Sequence, residues 1–209
     1  MNIVIAQLLD STSAALARQL SQSCEPYATK PPLILQEHSQ VNPAIPHIAH
    51  FHLEIDPCQI DLLHTALWHL SIETQNTRIG GYFREIVLRN KKLMWVTDAS
   101  QELKNLHRRV VEVSAPFHRN KQEVNWPIAS NQKAMLDMYG YPDCMECFVP
   151  HVTLSELSEP PPFRSDIVSA YSRTIFNWHS KILVIGLLGP RGTMTKIIGR
   201  LPLLPELDL

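Results

Sequence analysis

The sequence lacks a surplus of charge of either sign: 19 Lys and Arg face 20 Asp and Glu, a formal charge of −1 with ten His uncounted. That excludes the basic footprint of a general DNA-coating protein, so any nucleic-acid chemistry must rest on a local site. It also lacks a long apolar run. No segment approaches the roughly 18 unbroken apolar residues of a membrane span. MNIVIAQLLD has no basic region ahead of its short apolar stretch, so no secretory leader is read there and a soluble, cytoplasmic protein is expected. Cysteine is scarce. Four in 209 residues are too few for a disulfide scaffold and would serve as small hydrophobes in a reducing compartment. What is present, 44% hydrophobic and 19% charged residues, is enough to bury a core and excludes disorder.

Ile3 to Leu9 reads as a strand, and Asp10 or Ser11 can cap a helix through Ala14, Leu16, Ala17 and Leu20. Prolines 26, 31, 32, 43 and 46 break the following stretch, where only Leu33 to Leu35 could form an edge strand. In the segment from His47 to Ile55, Ala49, Phe51, Leu53 and Ile55 alternate with His50, His52 and Glu54, the period-two pattern of a half-buried strand. Asp56-Pro57-Cys58-Gln59 carries a capping-box signature for a helix with an Ile60, Leu63, Leu67, Leu70 stripe. Gly80 and Gly81 precede a hairpin of Tyr82 to Leu88 and Leu93 to Thr97, and a helix follows on Leu103, Leu106, Val110 and Val113. Residues 114–150 form a long insert with a short helix near Gln132 to Met138. Then come a strand over Val149 to Leu154, a brief helix over Ile167 to Tyr171, and a closing hairpin of Lys181 to Leu188 and Thr195 to Leu201.

The chemistry-bearing features are His50-x-His52 and His151-x-Thr153. In a strand, residues two apart project from one face, so each pair aims both its side chains at one groove. Two imidazoles facing one groove can divide general-base and general-acid work, because each titrates near neutrality. That division suits phosphoester chemistry, with nearby donors binding the phosphoryl oxygens.

On these residues the chain resembles the two-histidine phosphoesterase superfamily, which includes RNA 2′,3′-cyclic phosphodiesterases and bacterial 2′-5′ RNA ligase-like proteins. Its mark is His-x-Thr/Ser followed by an apolar residue, twice. Pro150-His151-Val152-Thr153-Leu154 matches fully, and Leu93 to Thr97, the helix from Gln101 to Val113, the terminal hairpin and Tyr139-Gly-Tyr-Pro142 fall where some members place theirs. The first copy departs. With His50 as the catalytic residue, His52 stands where Thr or Ser is expected; with His52, Glu54 does. A third register, His47-Ile-Ala49, follows Pro46 as His151 follows Pro150, but it is out of phase with the apolar set, so His50 is preferred.

The resemblance implies an α+β fold: one two-lobed domain over 1–209, each lobe a β-sheet bearing one histidine strand, with helices outside. It implies a phosphodiesterase acting on 2′,3′-cyclic or 2′-5′-linked nucleotides or RNA ends, with 2′-5′ ligation as the reverse reaction. His50 and His151 would be the acid-base pair, and His52 and Thr153 the phosphate binders. No cofactor or metal is implied, the partner is a nucleotide or RNA terminus without a membrane, and a monomer is expected. Tyr139 and Tyr141, with Tyr82 and Trp126, are candidates to stack on a base, and Arg119, Lys121 and Arg191 to touch further phosphates. Two alternatives stay open: a non-catalytic nucleotide-binding module with a degenerate site, and a small zinc-stabilised domain using Cys144, Cys147 and His151 with a distant fourth ligand such as Cys24 or Cys58.

Overall fold

Ile3, Ile5 and Gln7 alternate with Val4, Ala6 and Leu8, and a strand this apolar on both faces belongs in the middle of a sheet. In the computed structural model, which describes residues 1–23, 45–74, 79–89, 91–124, 126–156, 176–189 and 192–203, it is β1 (Asn2–Leu8). β1 is flanked on both sides by antiparallel partners. The remaining elements follow as α1 (Ser11–Ser23), β2 (His47–Glu54), α2 (Ile60–Glu73), β3 (Ile79–Arg89), β4 (Lys92–Thr97), α3 (Gln101–Ser114), α4 (Ser130–Tyr139), β5 (His151–Glu156), β6 (Phe176–Ser180), β7 (Ile182–Leu188) and β8 (Met194–Pro202). They form two antiparallel four-stranded sheets, ordered β2-β1-β7-β8 and β5-β4-β3-β6. The α+β, two-lobed architecture expected from the resemblance is therefore present.

The lobes repeat one scheme. β1, α1 and β2 in the first sheet correspond to β4, α3 and β5 in the second, so β2 and β5 are equivalent edge strands, and they lie against each other. The helices are exchanged: α1 packs on β5 and β6 of the second sheet, whereas α3 packs on β2 of the first. Between sheets and helices lies the main core, with Ile3, Ile5, Phe51 and Leu53 from one lobe and Phe83, Trp95, Val152, Leu154 and Trp178 from the other. Phe83 stacks on Trp95 with ring centroids 3.8 Å apart, and the Trp178 indole N–H donates to Thr97 Oγ1 at 2.6 Å.

Several local expectations shift. Gly80 and Gly81 lie inside β3, because β6 pairs with them so closely that a Cβ at Gly80 would stand 2.5 Å from the Trp178 carbonyl oxygen. β6 itself was not expected from the sequence. Asp56 caps a single turn over Pro57–Gln59, and α2 starts only at Ile60. Toward the end of α3, Val111 and Ser114 are buried, whereas Val113 is only half-buried against the core. The expected edge strand at Leu33 to Leu35, the helix at Ile167 to Tyr171, Cys24 and Arg191 lie outside the described residues. Among the described residues no helix is long and apolar enough to cross a membrane.

Asp10 joins the lobes as well as capping α1. Its carboxylate accepts from the Ser13 N–H at 2.9 Å, the Ser13 hydroxyl at 2.7 Å and the His179 N–H on β6 at 3.2 Å. Burial alone would raise this carboxyl, but those bonds outweigh it and hold it below its ordinary range. Asp10→Ala is expected to cost about 1–2 kcal/mol in urea unfolding at pH 7. Because the folded state favours the charged form, the deficit is full above the unfolded carboxyl's pKa and closes as pH falls through the folded one. An unchanged midpoint at pH 7 would refute the tie.

Candidate active site

Proline cannot donate to a ladder and so sits naturally just before a strand begins. Pro46 and Pro150 do so in front of β2 and β5, and each leads into a histidine. The His47 ring uses Nδ1 to bond the Ile45 carbonyl at 2.7 Å, and the His151 ring uses Nδ1 to bond the Val149 carbonyl at 2.8 Å. A carbonyl only accepts, so Nδ1 carries the proton in both rings, and in each neutral imidazole Nε2 holds the lone pair.

After the histidine each strand runs two residues and then bulges. The ladder shifts between Ile5 and Ala6, leaving His50 as the extra residue of β2, and between Leu93 and Met94, leaving Leu154 as the extra residue of β5. The burial sequence is the same in both. His47, Ala49 and His52 are half-buried on the open face, as are His151, Thr153 and Glu156; Ile48, His50 and Phe51 are buried, as are Val152, Leu154 and Ser155. Three matched rows result. Leu8 and Val96 flank the two histidines, Ala6 and Met94 flank Ala49 and Thr153, and Val4 and Lys92 flank His52 and Glu156.

This corrects the expectation that His50 and His52 share a face with His151. His50 occupies the place of Leu154 and is fully buried on the core side. Its Nε2 is 3.1 Å from Gln7 Oε1, and its ring lies 5.8 Å from that of His107 and 5.7 Å from that of Phe148. Burial, aided by His107, pushes it well below the ordinary imidazole range. The alternation that favoured His50 is broken by the bulge, and the residue that holds in β2 the place of His151 in β5 is His47.

The open-face imidazoles feel one another. Burial drives His47 down to about 4, the Ile45 bond opposes the shift, and the His151 charge adds to it. His52 falls to about 3 through burial, then through the charges of His47, Lys92 and His151. His151 is lowered by burial, against which the Val149 bond and Asp143 act, while Lys92 and Arg89 push with it. Tyr141 stacks on His52 with centroids 5.1 Å apart and meets Phe51 edge-on at 5.8 Å. Burial raises its hydroxyl pKa, keeping it protonated.

The remaining candidates disperse. Tyr139 ends α4 half-buried against the main core, Tyr82 is exposed on β3, and Trp126 is half-buried. Arg119 approaches Asp56 at 3.5 Å and Lys121 binds Asp137 at 2.8 Å. Cys144 and Cys147 are buried free thiols, and burial raises the first to about 12. Among the described residues no three potential ligands gather into a metal-binding group. Lys92, on the open face beside the site, drew no notice in the sequence; His47 did, through the repeated Pro-His.

Because the fold favours neutral His47, His50 and His52, the unfolded chain takes up protons first as pH falls. Stability should be greatest above about 6.5, the unperturbed imidazole pKa, and should decline below it until the folded rings titrate. A proton NMR titration should find His47 changing near pH 4 and His52 near pH 3. Titration of either ring near 6.5 would contradict this electrostatic picture.

Set against solved structures, the chain is similar over nearly its whole length to TT0787 of Thermus thermophilus: TM-score 0.60, 14% identity, 97% of this chain and 98% of that one. It is similar to a protein solved as a phosphoesterase, with TM-score 0.53, 12% identity and coverage of 97% and 98%. It is similar also to E. coli LigT complexed with 3′-AMP, with TM-score 0.54, 12% identity and 97% of both chains. The resemblance to the two-histidine phosphoesterases thus holds at the level of the fold. No curated protein is matched by sequence. The profile of the family described as "Protein of unknown function (DUF1045)" matches residues 84–189, just over half of the chain, and the protein belongs to that family.

Proposed function

We propose that the protein is a two-histidine phosphodiesterase in which His47 and His151 are the acid-base pair, acting on a 2′,3′-cyclic or 2′-5′-linked nucleotide or RNA end. The observation that carries this reading is the matched pair of Nδ1 bonds, to the Ile45 and Val149 carbonyls, which leaves both Nε2 atoms as the proton-accepting positions on two facing strands. One ring removes a proton from the attacking water while the other protonates the departing ester oxygen. Both rings are held low in the free site; the anionic phosphodiester between them supplies the opposite charge that favours imidazolium, and so provides the acid. The fold shared with LigT and a phosphoesterase supports the same reaction class.

The Thr153 hydroxyl lies two residues beyond His151 on the same face and would donate to a non-bridging phosphoryl oxygen. Its counterpart, Ala49, has no donor. His52, one row further, has an Nε2 that is buried without a hydrogen-bond partner among the described residues. As the Nε2–H tautomer it would supply the donor that Ala49 lacks, with Tyr141 stacked behind it. The absent hydroxyl at Ala49 also favours the second reading, a cleft that binds nucleotides without cleaving them.

The test is hydrolysis of a 2′,3′-cyclic nucleotide and a 2′-5′-linked dinucleotide in EDTA. His47→Ala and His151→Ala should each lose about 10²–10⁴-fold in kcat, the range for general acid-base groups. His52→Ala should lose mainly in KM, and His50→Leu, the residue type of the equivalent position 154, should retain the chemical step. Turnover that survives both His47→Ala and His151→Ala would refute the mechanism. Nucleotide binding without turnover by the wild type would put the binding module in its place.

A further inference from the structure

On the phosphodiesterase reading, the scissile phosphate lies at the first two rows of the cleft, between His47 and His151 and beside Thr153. The third row differs in kind between the lobes. In the first it presents Val4 beside His52; in the second, Lys92 beside Glu156. Lys92 is half-buried, and its neighbour across the other ladder of β4 is Arg89. The Arg89 guanidinium stands 3.6 Å from Asp143 and is 43% exposed.

The third row holds one charge of each sign, Lys92 opposite Glu156, and the neighbouring Arg89 is paired with Asp143. Lys92 acts on His52 of one wall and on His151 of the other, and Arg89 acts on His151. The charges that lower His52 are those of His47, Lys92 and His151. A half-buried ammonium whose charge is felt by His52 and by His151 is not needed to hold a single phosphodiester, which on this reading Thr153 and the histidines already bind. Rows in a strand are about 7 Å apart, the span of a pentose-sized scaffold carrying a phosphoryl group at each end.

We propose that the cleft takes a phosphodiester bearing a second anionic group, a phosphomonoester on the same small molecule, and that Lys92, backed by Arg89, holds that group in the third row. Recognition is by charge and by the three donors of the ammonium, so the second group is selected for its anionic oxygens and its distance from the scissile phosphorus.

The experiment compares binding of adenosine 2′-phosphate with adenosine 2′,5′-bisphosphate, and adenosine 3′-phosphate with the 3′,5′-bisphosphate, by calorimetry at fixed low salt. It is paired with turnover of 2′,3′-cyclic AMP with and without a 5′-phosphate. In the wild type at least one bisphosphate should bind about tenfold or more tighter than its monophosphate, the scale of one charge-assisted contact. In Lys92→Gln that ratio should fall to near one, and in Lys92→Arg it should persist. Equal affinities in the wild type, or a ratio unchanged in Lys92→Gln, would overturn the proposal. Hydrolysis that needs His47 and His151 but ignores the 5′-phosphate overturns it while the phosphodiesterase reading stands. A Lys92-dependent bisphosphate preference without any hydrolysis supports the anion site and overturns the catalytic reading. Failure of every nucleotide to bind overturns both.

Discussion

The bulge one residue past Ala49 and past Thr153 is the constraint on which the rest depends. An unbroken strand would give one face to the cleft and the other to the core along its whole length. Here the first residues must aim a histidine outward at a partner strand, while the later ones must still feed Phe51 and Leu53 into the core. One extra residue resets the phase and lets both happen. β2 and β5 are also the edges of their sheets, where a flat strand would offer an open ladder; a bulged strand lying against another edge does not. The exchange of α1 and α3 then clamps the two edges, because α1 packs on β5 and β6 of the second sheet and α3 packs on β2 of the first as well as on β3 of its own.

Behind the cleft the same bulge creates a cost. Position 154 of β5 is leucine, but its equivalent in β2 is His50, a polar ring in the core. Its Nε2 finds Gln7, and its Nδ1 has no partner among the described residues; nor has Nδ1 of the neighbouring His107. Such orphans are expensive in a low dielectric. A compensating contact is visible at His107, whose Nε2 accepts the Met145 N–H at 2.8 Å and whose ring lies on Phe148 at 3.7 Å, with 4° between the planes. Met145 has φ of 53°, a left-handed conformation that few residues adopt unforced. That bond fixes the turn leading through Pro150 to His151, and the stack of His50, His107 and Phe148 spans from β2 to the same turn.

Most elements are legible from side-chain period, because a period reports which face is buried. β1, β4, the apolar stripes of α2 and α3 and the closing hairpin all follow from it. What escapes is what periodicity does not carry. Gly80 and Gly81 look like punctuation, since a residue without a side chain votes for neither face, yet their emptiness lets β6 approach. β6 is only five residues long and is a strand because β3 offers it a ladder. Alternation puts His50 on the wrong face for a related reason: it does not hold across a bulge, and no residue type announces this one. Pro46-His47, repeated at Pro150-His151, is the better signal because it records a local bonding pattern, a ring turned back onto the carbonyl two residues earlier. The second motif has no such ambiguity, since its bulged residue is leucine and only one histidine is available.

The electrostatics of the site follow from gathering three imidazoles with Lys92 and Arg89. Each ring is buried enough to lose hydration, and His47 and His52 are close enough to neighbouring cations to be penalised by their charge, so the three imidazoles stay neutral near pH 7. An anion opposes all of these effects at once. On the proposed reading it would replace like-charge repulsion by attraction, satisfy the Nε2 of His52, and make protonation of a first-row ring favourable where a departing oxygen needs a proton. A cleft of carboxylates would repel the same ligand, and one of hydroxyls alone would bind it without offering a proton. On the proposed reading, histidine at 47, 52 and 151 with Thr153 would do both, and the His52 imidazole one row away would stand in for the hydroxyl that Ala49 lacks.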